Sequence, residues 1–530
     1  MRRSRSLVVL LSVCVAGTLT ACGSSAKKPP ASGNSSGGAS ATAANNSTSA
    51  SPKAGGTLTY GYTGGGLTSL NPNTINSGTE KPVASLLFDG LTQLGQDGST
   101  QPDLATSWTA SADQKTWTFK LRSGVKYHSG KVFTAKDAVA NINYVLDKKN
   151  AASQRKRITA ITSAVATNDT TLTINLSAPD AVLPSALMWV YMANIDTIGQ
   201  VNTNGDGTGP FEVKDFVSDD HLDLVRFDGY WGTKPSLDGI KIVRTADATS
   251  ALTSLQTGQL DVLWGVDPTN VGTLQSDKNL TFLKSNSTSG VTILMLDTTS
   301  PPFDNIKARQ ALSYAVDRKS MADAGYNGIA DISPANDPIG SGSADFASSL
   351  PTYDFDLDKA KQLFAEAGVK AGDTLTFWTL AGRRGEWTTM GQILQADLKK
   401  IGINLKIEQQ ETSSWTAKFA PAGKKFPNTI VMDFLSFPPV PAFALQFFTS
   451  GGCECNWNNK DYDALMAQTL GATTDSARKS AEAEMQKMFN EQVPSVVLMQ
   501  NATLVAAQTK VQGVWLEGDG TPRLAQASLS

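Results

Sequence analysis

Thr374-Leu375-Thr376-Phe377-Trp378-Thr379-Leu380 is rich in β-branched and aromatic residues and reads as a strand. Met390, Ile393, Leu394 and Leu398 follow at helical spacing, and the stripe stops at Gly402. Ile403, Leu405 and Ile407 then alternate, as in a strand with one buried face. Strand, helix and strand in this order form a β-α-β unit. Such a unit implies a parallel sheet with helices on its faces, and so an α/β fold.

Similar patterns extend in both directions. Leu58, Tyr60 and Tyr62 alternate near the start of the body, and Trp117, Phe119 and Leu121 alternate before the turn Arg122-Ser123-Gly124. Thr134-Ala135-Lys136-Asp137 resembles a capping box, with Asp137 reaching back to the helix start. Ala138, Ile142, Val145 and Leu146 recur behind it at helical spacing. Strands are expected at Thr171–Leu176, Leu222–Phe227, Ile240–Arg244, Asp261–Leu263 and Val431–Phe437. A short helix is expected at Ala248–Thr257, and two helices between Asp461 and Asn490. Asp304 is expected to cap a helix carrying Ala308, Leu312, Ala315 and Val316 on one face.

The amino terminus has a separate logic. A basic start, Met1-Arg2-Arg3-Ser4-Arg5, precedes an apolar run from Leu7 to Ala16, and small residues follow. That is the layout of an export signal, and the run is too short for a stable bilayer span. Leu19-Thr20-Ala21-Cys22 resembles the lipobox of bacterial lipoproteins. The resemblance implies acylation of the Cys22 thiol, cleavage of residues 1–21, and a lipid that holds the protein on the outer face of the cytoplasmic membrane. Residues 22–54 hold almost nothing able to bury itself, so a flexible tether is expected, with a reach of roughly 30 Å. Residues 1–21 carry three arginines and no acid, so their loss takes the formal charge from −2 to −5. Nothing in that balance suggests a nucleic-acid surface.

The body, from about residue 55 to 530, is too long for one core and suggests two or three lobes. An apolar fraction of 40% fits a soluble globular protein. With Cys14 in the signal and Cys22 assigned to lipid, Cys453 and Cys455 remain, in Gly452-Cys453-Glu454-Cys455. In an oxidising compartment they are expected to pair with each other; the alternative is two thiols on a soft metal, with no second Cys or His cluster to complete the site.

These segments, in this order, resemble the large extracytoplasmic solute-binding proteins of bacterial peptide and nickel ABC importers, family 5. The best stretch runs from Phe119-Lys120-Leu121-Arg122-Ser123-Gly124 through Val125-Lys126-Tyr127-His128-Ser129-Gly130-Lys131 into Thr134–Ala138. Ser129 stands where the family usually has an acid. Leu87-Phe88-Asp89-Gly90-Leu91, Gly207-Thr208-Gly209-Pro210-Phe211, Tyr230-Trp231 and Arg309–Asp317 are further matches. These motifs are mostly structural in the family; packing is expected for His128 and a solvated position for His221. The resemblance implies a two-lobed periplasmic-binding-protein-like fold of the large type II, with an extra subdomain inserted in lobe I. Carried over, lobe I comprises residues 55–90, 209–290 and 498–530, the inserted subdomain 91–208, and lobe II 291–497, with hinge crossings near 290 and 497.

Ligands of open α/β sheets collect at the carboxyl ends of strands. Two such ends stand out in lobe II: Phe377–Leu380, entering Ala381-Gly382-Arg383-Arg384-Gly385, and Val431–Phe437, entering Pro438-Pro439-Val440-Pro441. Peptide-binding members place an aspartate after the second strand to meet the ligand's α-amine, and that position is read here as Ser436. Asp433 lies three residues earlier, and an odd offset in a strand points to the opposite face. An uncharged site suits a sugar, a blocked peptide or another neutral solute. The ligand-binding candidates are Tyr62, Trp378, Arg383, Trp415, Phe434, Ser436 and Trp457, with Gly64-Gly65-Gly66 beside Tyr62. For each aromatic, core packing is the competing reading. For Arg383 and Arg384 it is a solvated loop, and for the glycines a turn.

No Gly-x-Ser-x-Gly elbow, His-Glu-x-x-His, P-loop or Gly-x-Gly-x-x-Gly after a strand is present. Two histidines in no cluster argue against direct nickel ligation. The expectation is therefore a monomeric, lipid-anchored receptor without catalysis, cofactor or metal. It closes on a small solute or peptide and delivers it to an ABC permease and its ATPase. The competing classes are a secreted hydrolase of peptides or glycans and a ligand-sensing lipoprotein without transport.

Overall fold

The computed structural model describes residues 54–63, 66–74, 80–245, 247–285, 290–332, 335–343, 345–381, 385–419, 423–437, 440–517 and 520–530. The leader, Cys22, nearly all of the tether, Gly64, Gly65, Arg383, Arg384, Pro438 and Pro439 fall outside them.

Lobe I is built on a seven-stranded sheet. Its order is Leu280–Lys284, Leu504–Gln508, Val262–Trp264, Thr57–Thr63, Gly239–Thr245, His221–Arg226 and Phe211–Val217. Thr57–Thr63 runs parallel to both neighbours, and the remaining pairs are antiparallel. Leu58, Tyr60 and Tyr62 point to one face and are buried with Leu222, Leu224, Ile240 and Ile242. The helix Ala248–Gln256 closes the other face with Ala251 and Leu255.

The inserted subdomain is a four-stranded antiparallel sheet, ordered Ala105–Ala110, Thr116–Leu121, Thr171–Leu176 and Ile161–Asn168. Trp117, Phe119 and Leu121 face its core, where Ala138, Ile142 and Val145 of the helix Ala135–Leu146 pack. The start of that helix is closed from within: the Thr134 amide and hydroxyl both donate to the Asp137 carboxylate, at 2.9 and 2.8 Å. Such a cap contributes about 1 kcal/mol.

Lobe II is a five-stranded sheet, ordered Asn404–Gln410, Thr374–Leu380, Thr429–Ser436, Gly290–Leu296 and Ser495–Gln500. Thr374–Leu380 and Asn404–Gln410 are parallel, joined through the helix Gly385–Lys400, so the β-α-β unit is present. Met390, Leu394 and Leu398 are buried against Leu375 and Phe377. Gly391 sets that approach, since a Cβ there would meet the Phe377 ring at 2.7 Å. Gly402, at φ +87°, ends the helix in the left-handed region that glycine tolerates.

Two details differ from the sequence reading. Asn305, not Asp304, caps the helix Ile306–Ala315, its side chain accepting from the Lys307 amide at 3.0 Å. The second crossing lies later than 497, because Ser495–Gln500 belongs to the lobe II sheet and Leu504–Gln508 to the lobe I sheet. Both segments are apolar, and only Asn501-Ala502-Thr503 separates them.

Candidate functional site

Strand direction places the site. In lobe II, Gly290–Leu296 starts at a crossing and runs antiparallel to Thr429–Ser436, pairing Gly290 with Ser436. The carboxyl end of Thr429–Ser436 therefore lies beside the crossing, and Thr374–Leu380 is parallel to it. In lobe I, Lys284 pairs with Leu504, Val505 with Trp264, Trp264 with Tyr62 and Tyr62 with Arg244. The carboxyl ends of the parallel strands of both lobes thus point to the side where the chain crosses, and the cleft between them is where a ligand would collect. A broad depression of about 1190 Å³ lies at the opposite, amino end of Thr374–Leu380, beside Pro302, Arg309 and Asn428. Its position sets it apart from the cleft.

The crossings are tied to each other. The Asn501 amide donates to the Gly290 carbonyl at 2.8 Å. The Thr292 hydroxyl donates to Asn501 Oδ1 at 2.9 Å, and Asn501 Nδ2 donates to the Tyr326 hydroxyl at 2.8 Å.

On the lobe II rim, Ser436 ends its strand and is exposed. Phe434 shares its face and lies over Gly290, where a Cβ would come within 3.2 Å of the ring. Asp433 sits on the other face, and its carboxylate accepts from the Phe434 amide at 2.8 Å. The register sets Phe377 beside Ile430 and Trp378 beside Val431. Trp378 therefore shares the face of Asp433, and Phe434 and Ser436 lie on the opposite one. Trp378 Nε1 donates to Glu408 Oε2 at 3.1 Å, and Lys418 Nζ lies 5.5 Å from its ring. Lys406, 2.7 Å from Glu408, holds that carboxyl below its ordinary range. Trp415 is half-buried between the two cores of lobe II, 5.3 Å from Phe419 and 6.4 Å from Trp387.

Two candidates are core residues instead. Tyr62 is 2% exposed, and its hydroxyl accepts from the Leu67 amide at 3.1 Å, which leaves no free surface for a ligand. Trp457 is buried against Tyr462 at 4.8 Å and Phe489 at 6.5 Å. Cys453 and Cys455, both buried in the same core, are joined in a disulfide. Arg383 lies outside the described residues. A residue the sequence reading passed over is Trp264, at the carboxyl end of a lobe I strand with its Nε1 buried and lacking an acceptor among the described residues. The strand is three residues long, too short for any periodic signal. Among the described residues, no group of three or more His, Cys, Asp and Glu side chains is placed to hold a metal, and no helix is long and apolar enough to cross a membrane.

The model of bacterial extracellular solute-binding proteins, family 5 (middle), matches residues 99–454. The chain belongs to this family. The dipeptide-binding protein of Escherichia coli is 26% identical over 500 residues, covering 87% of this chain and 92% of the relative. Heme-binding protein A of Haemophilus influenzae is 27% identical over 481 residues, covering 84% and 87%. The crystal structure of the ABC transporter substrate-binding protein CtaP from Listeria monocytogenes superposes with a TM-score of 0.80 at 22% identity, over 90% of this chain and 100% of that one. The fold is the two-lobed type II architecture of periplasmic binding proteins.

In this solute-binding protein the family motifs pack on one another. Gly209 donates its amide to the Leu87 carbonyl at 3.0 Å, and a Cβ on Gly207 would fall 2.0 Å from that same oxygen. The Thr208 hydroxyl and Trp231 Nε1 both donate to Asp89, each at 2.9 Å, and burial pushes that carboxyl up to about 6. His128 sits with Nε2 3.1 Å from the Gly209 carbonyl, and burial lowers its pKa. Arg309 donates to the carbonyls of Phe303, Gln492 and Val493 and so ties two helices together. His221 is an exception, on the surface between Asp220 at 2.7 Å and Asp215 at 3.2 Å, which raise its pKa.

Proposed function

We propose that this protein is the extracytoplasmic receptor of an ABC importer, closing its lobes on a peptide, oligosaccharide or similar small solute and delivering it to a membrane permease. The observation that carries this reading is the strand direction: the carboxyl ends of parallel strands in both sheets point toward a pair of mutually bonded crossings. Family membership and the transporter association of CtaP support it. Ser436 is neutral where peptide-binding members resembling this chain are expected to have an acid, so the preferred solute has no free ammonium group at that point. Binding needs no covalent step: a solute touching both lobes favours the closed form by its differential affinity. The body is held to the membrane through lipid on Cys22, and the Ser/Gly-rich tether leaves closure unhindered.

The test is thermal unfolding with peptides, oligosaccharides and metal chelates. A solute at 100 times its Kd stabilises by about 2.7 kcal/mol, so at least one class raises Tm and is recovered unchanged. If Tm stays flat across the panel, the receptor reading fails; if a solute is consumed, a hydrolase replaces it. Cys22→Ala is expected to move the expressed protein from the membrane fraction to the medium. Retention of that variant on membranes overturns the anchor.

A further inference from the structure

Arg157 is a cation without an anion among the described residues. It closes the short turn Ser153–Arg157 of the inserted subdomain, and its Nε donates to Gln154 Oε1 at 2.9 Å. Its guanidinium lies 5.2 Å from the ring of Trp189, also in the subdomain, and 5.6 Å from the ring of Phe443 in lobe II. The two rings hold the planar fork in place. No carboxylate of the described residues pairs with it, and burial alone acts on it, lowering its pKa to about 10. Buried and half-buried cations elsewhere among the described residues have partners. Lys81 and Arg523 meet Glu517, Arg478 meets Glu482, and Arg309 and Arg318 donate to backbone carbonyls. Burial raises the Glu454 carboxyl, and the charge of Lys156 partly offsets it.

Trp189 adds a second observation. Its Nε1 is buried and has no acceptor among the described residues. The buried Trp189 Nε1 thus lies beside a half-buried guanidinium whose one hydrogen bond among the described residues is to Gln154, and buried donors are nearly always paired. Phe443 belongs to the helix Pro441–Phe447, which follows directly from the loop after Ser436. It is 9% exposed and packs into the subdomain's core. The Ala181 amide also donates to the Leu470 carbonyl at 2.7 Å, a second contact between the inserted subdomain and lobe II.

We propose that Arg157 and Trp189 form an anion subsite at the junction of the inserted subdomain and lobe II, and that it receives a carboxylate of the transported solute. The proposal rests on the receptor reading above and sharpens it, replacing a wholly neutral solute by one that is uncharged beside Ser436 and anionic beside Arg157. A carboxylate accepts two parallel bonds from a guanidinium fork. Its single charge matches the single unpaired cation, whereas a phosphate dianion calls for two.

The experiment is calorimetric titration of the full chain with N-acetylated dipeptides, each as the free acid and as the C-terminal amide, and with inorganic phosphate. The wild type is expected to bind acids at least tenfold tighter than their amides. Arg157→Gln is expected to abolish that ratio while leaving amide affinity unchanged, and Arg157→Lys to restore part of it. A purely structural Arg157 would weaken acid and amide together, and that result overturns the subsite. Equal wild-type affinity for acid and amide, binding of no acid, or a preference for phosphate also overturns it. If neutral dipeptides bind without acid preference, the subsite fails and the receptor reading stands; if nothing binds, the subsite fails and the wider thermal panel decides the receptor reading.

Discussion

At Ser436 one hydroxyl stands at the carboxyl end of a central strand, exposed, with no acid on its own face of that strand. Asp433, the nearest acid, is turned away by the odd offset and engaged by the Phe434 amide. Ser436→Asp is therefore expected to raise the affinity for free-amine peptides by tenfold or more, about 1.4 kcal/mol, measured by titration calorimetry. If the wild type already binds such peptides tightly and the change does nothing, the placement of Ser436 is wrong. The sequence makes the relation of Ser436, Phe434 and Asp433 legible, because alternation operates within one strand. It does not relate Phe434 to Trp378, which lie on different strands, and only the register sets them on opposite faces. Tyr62 and Trp457 show another limit: a large aromatic suits a core and a cleft equally well by composition, and burial alone separates the two.

Elements with strong local signals were legible. Thr171–Leu176 and the β-α-β unit have clear periodicity and clear stops, such as Gly402. The second crossing was harder to read, since Val496–Met499 and Leu504–Ala507 are apolar runs that belong to different sheets. Nor does sequence show what packs beside the first of these runs. The segment Asn336-Asp337-Pro338 lies along Ser495–Gln500, with Asn336 Nδ2 donating to the Ser495 carbonyl and the Val497 amide donating to Asn336 Oδ1. Asp337 beside it is fully buried, accepts from the Ile339 amide at 3.0 Å and leaves Oδ2 without a partner among the described residues. Burial pushes its carboxyl from 3.8 to about 7. With the folded value raised, its contribution is fully present below pH 3.8 and is lost as pH rises through about 7. Asp337→Asn is expected to raise Tm by about 2 °C or more at pH 8 and to leave it nearly unchanged at pH 4. Equal shifts at both pH values in a thermal scan would contradict this.

The main sheets of the two lobes are joined by two crossings, and the lobes touch again where Phe443 enters the inserted subdomain. Asn501, Thr292, Gly290 and Tyr326 bond the crossings into one unit, so opening is expected to turn about them while the Phe443 contact parts. One relative is named for dipeptides and another for heme, and on the proposals above residues of this chain, Ser436 and Arg157 among them, set the solute. Native mass spectrometry of the protein isolated from its own host asks the question most directly. The account predicts a non-covalent complex with one small solute per chain, which is released intact and raises Tm when added back. A bare chain that no recovered or added solute stabilises, or a solute returned in cleaved form, would contradict it.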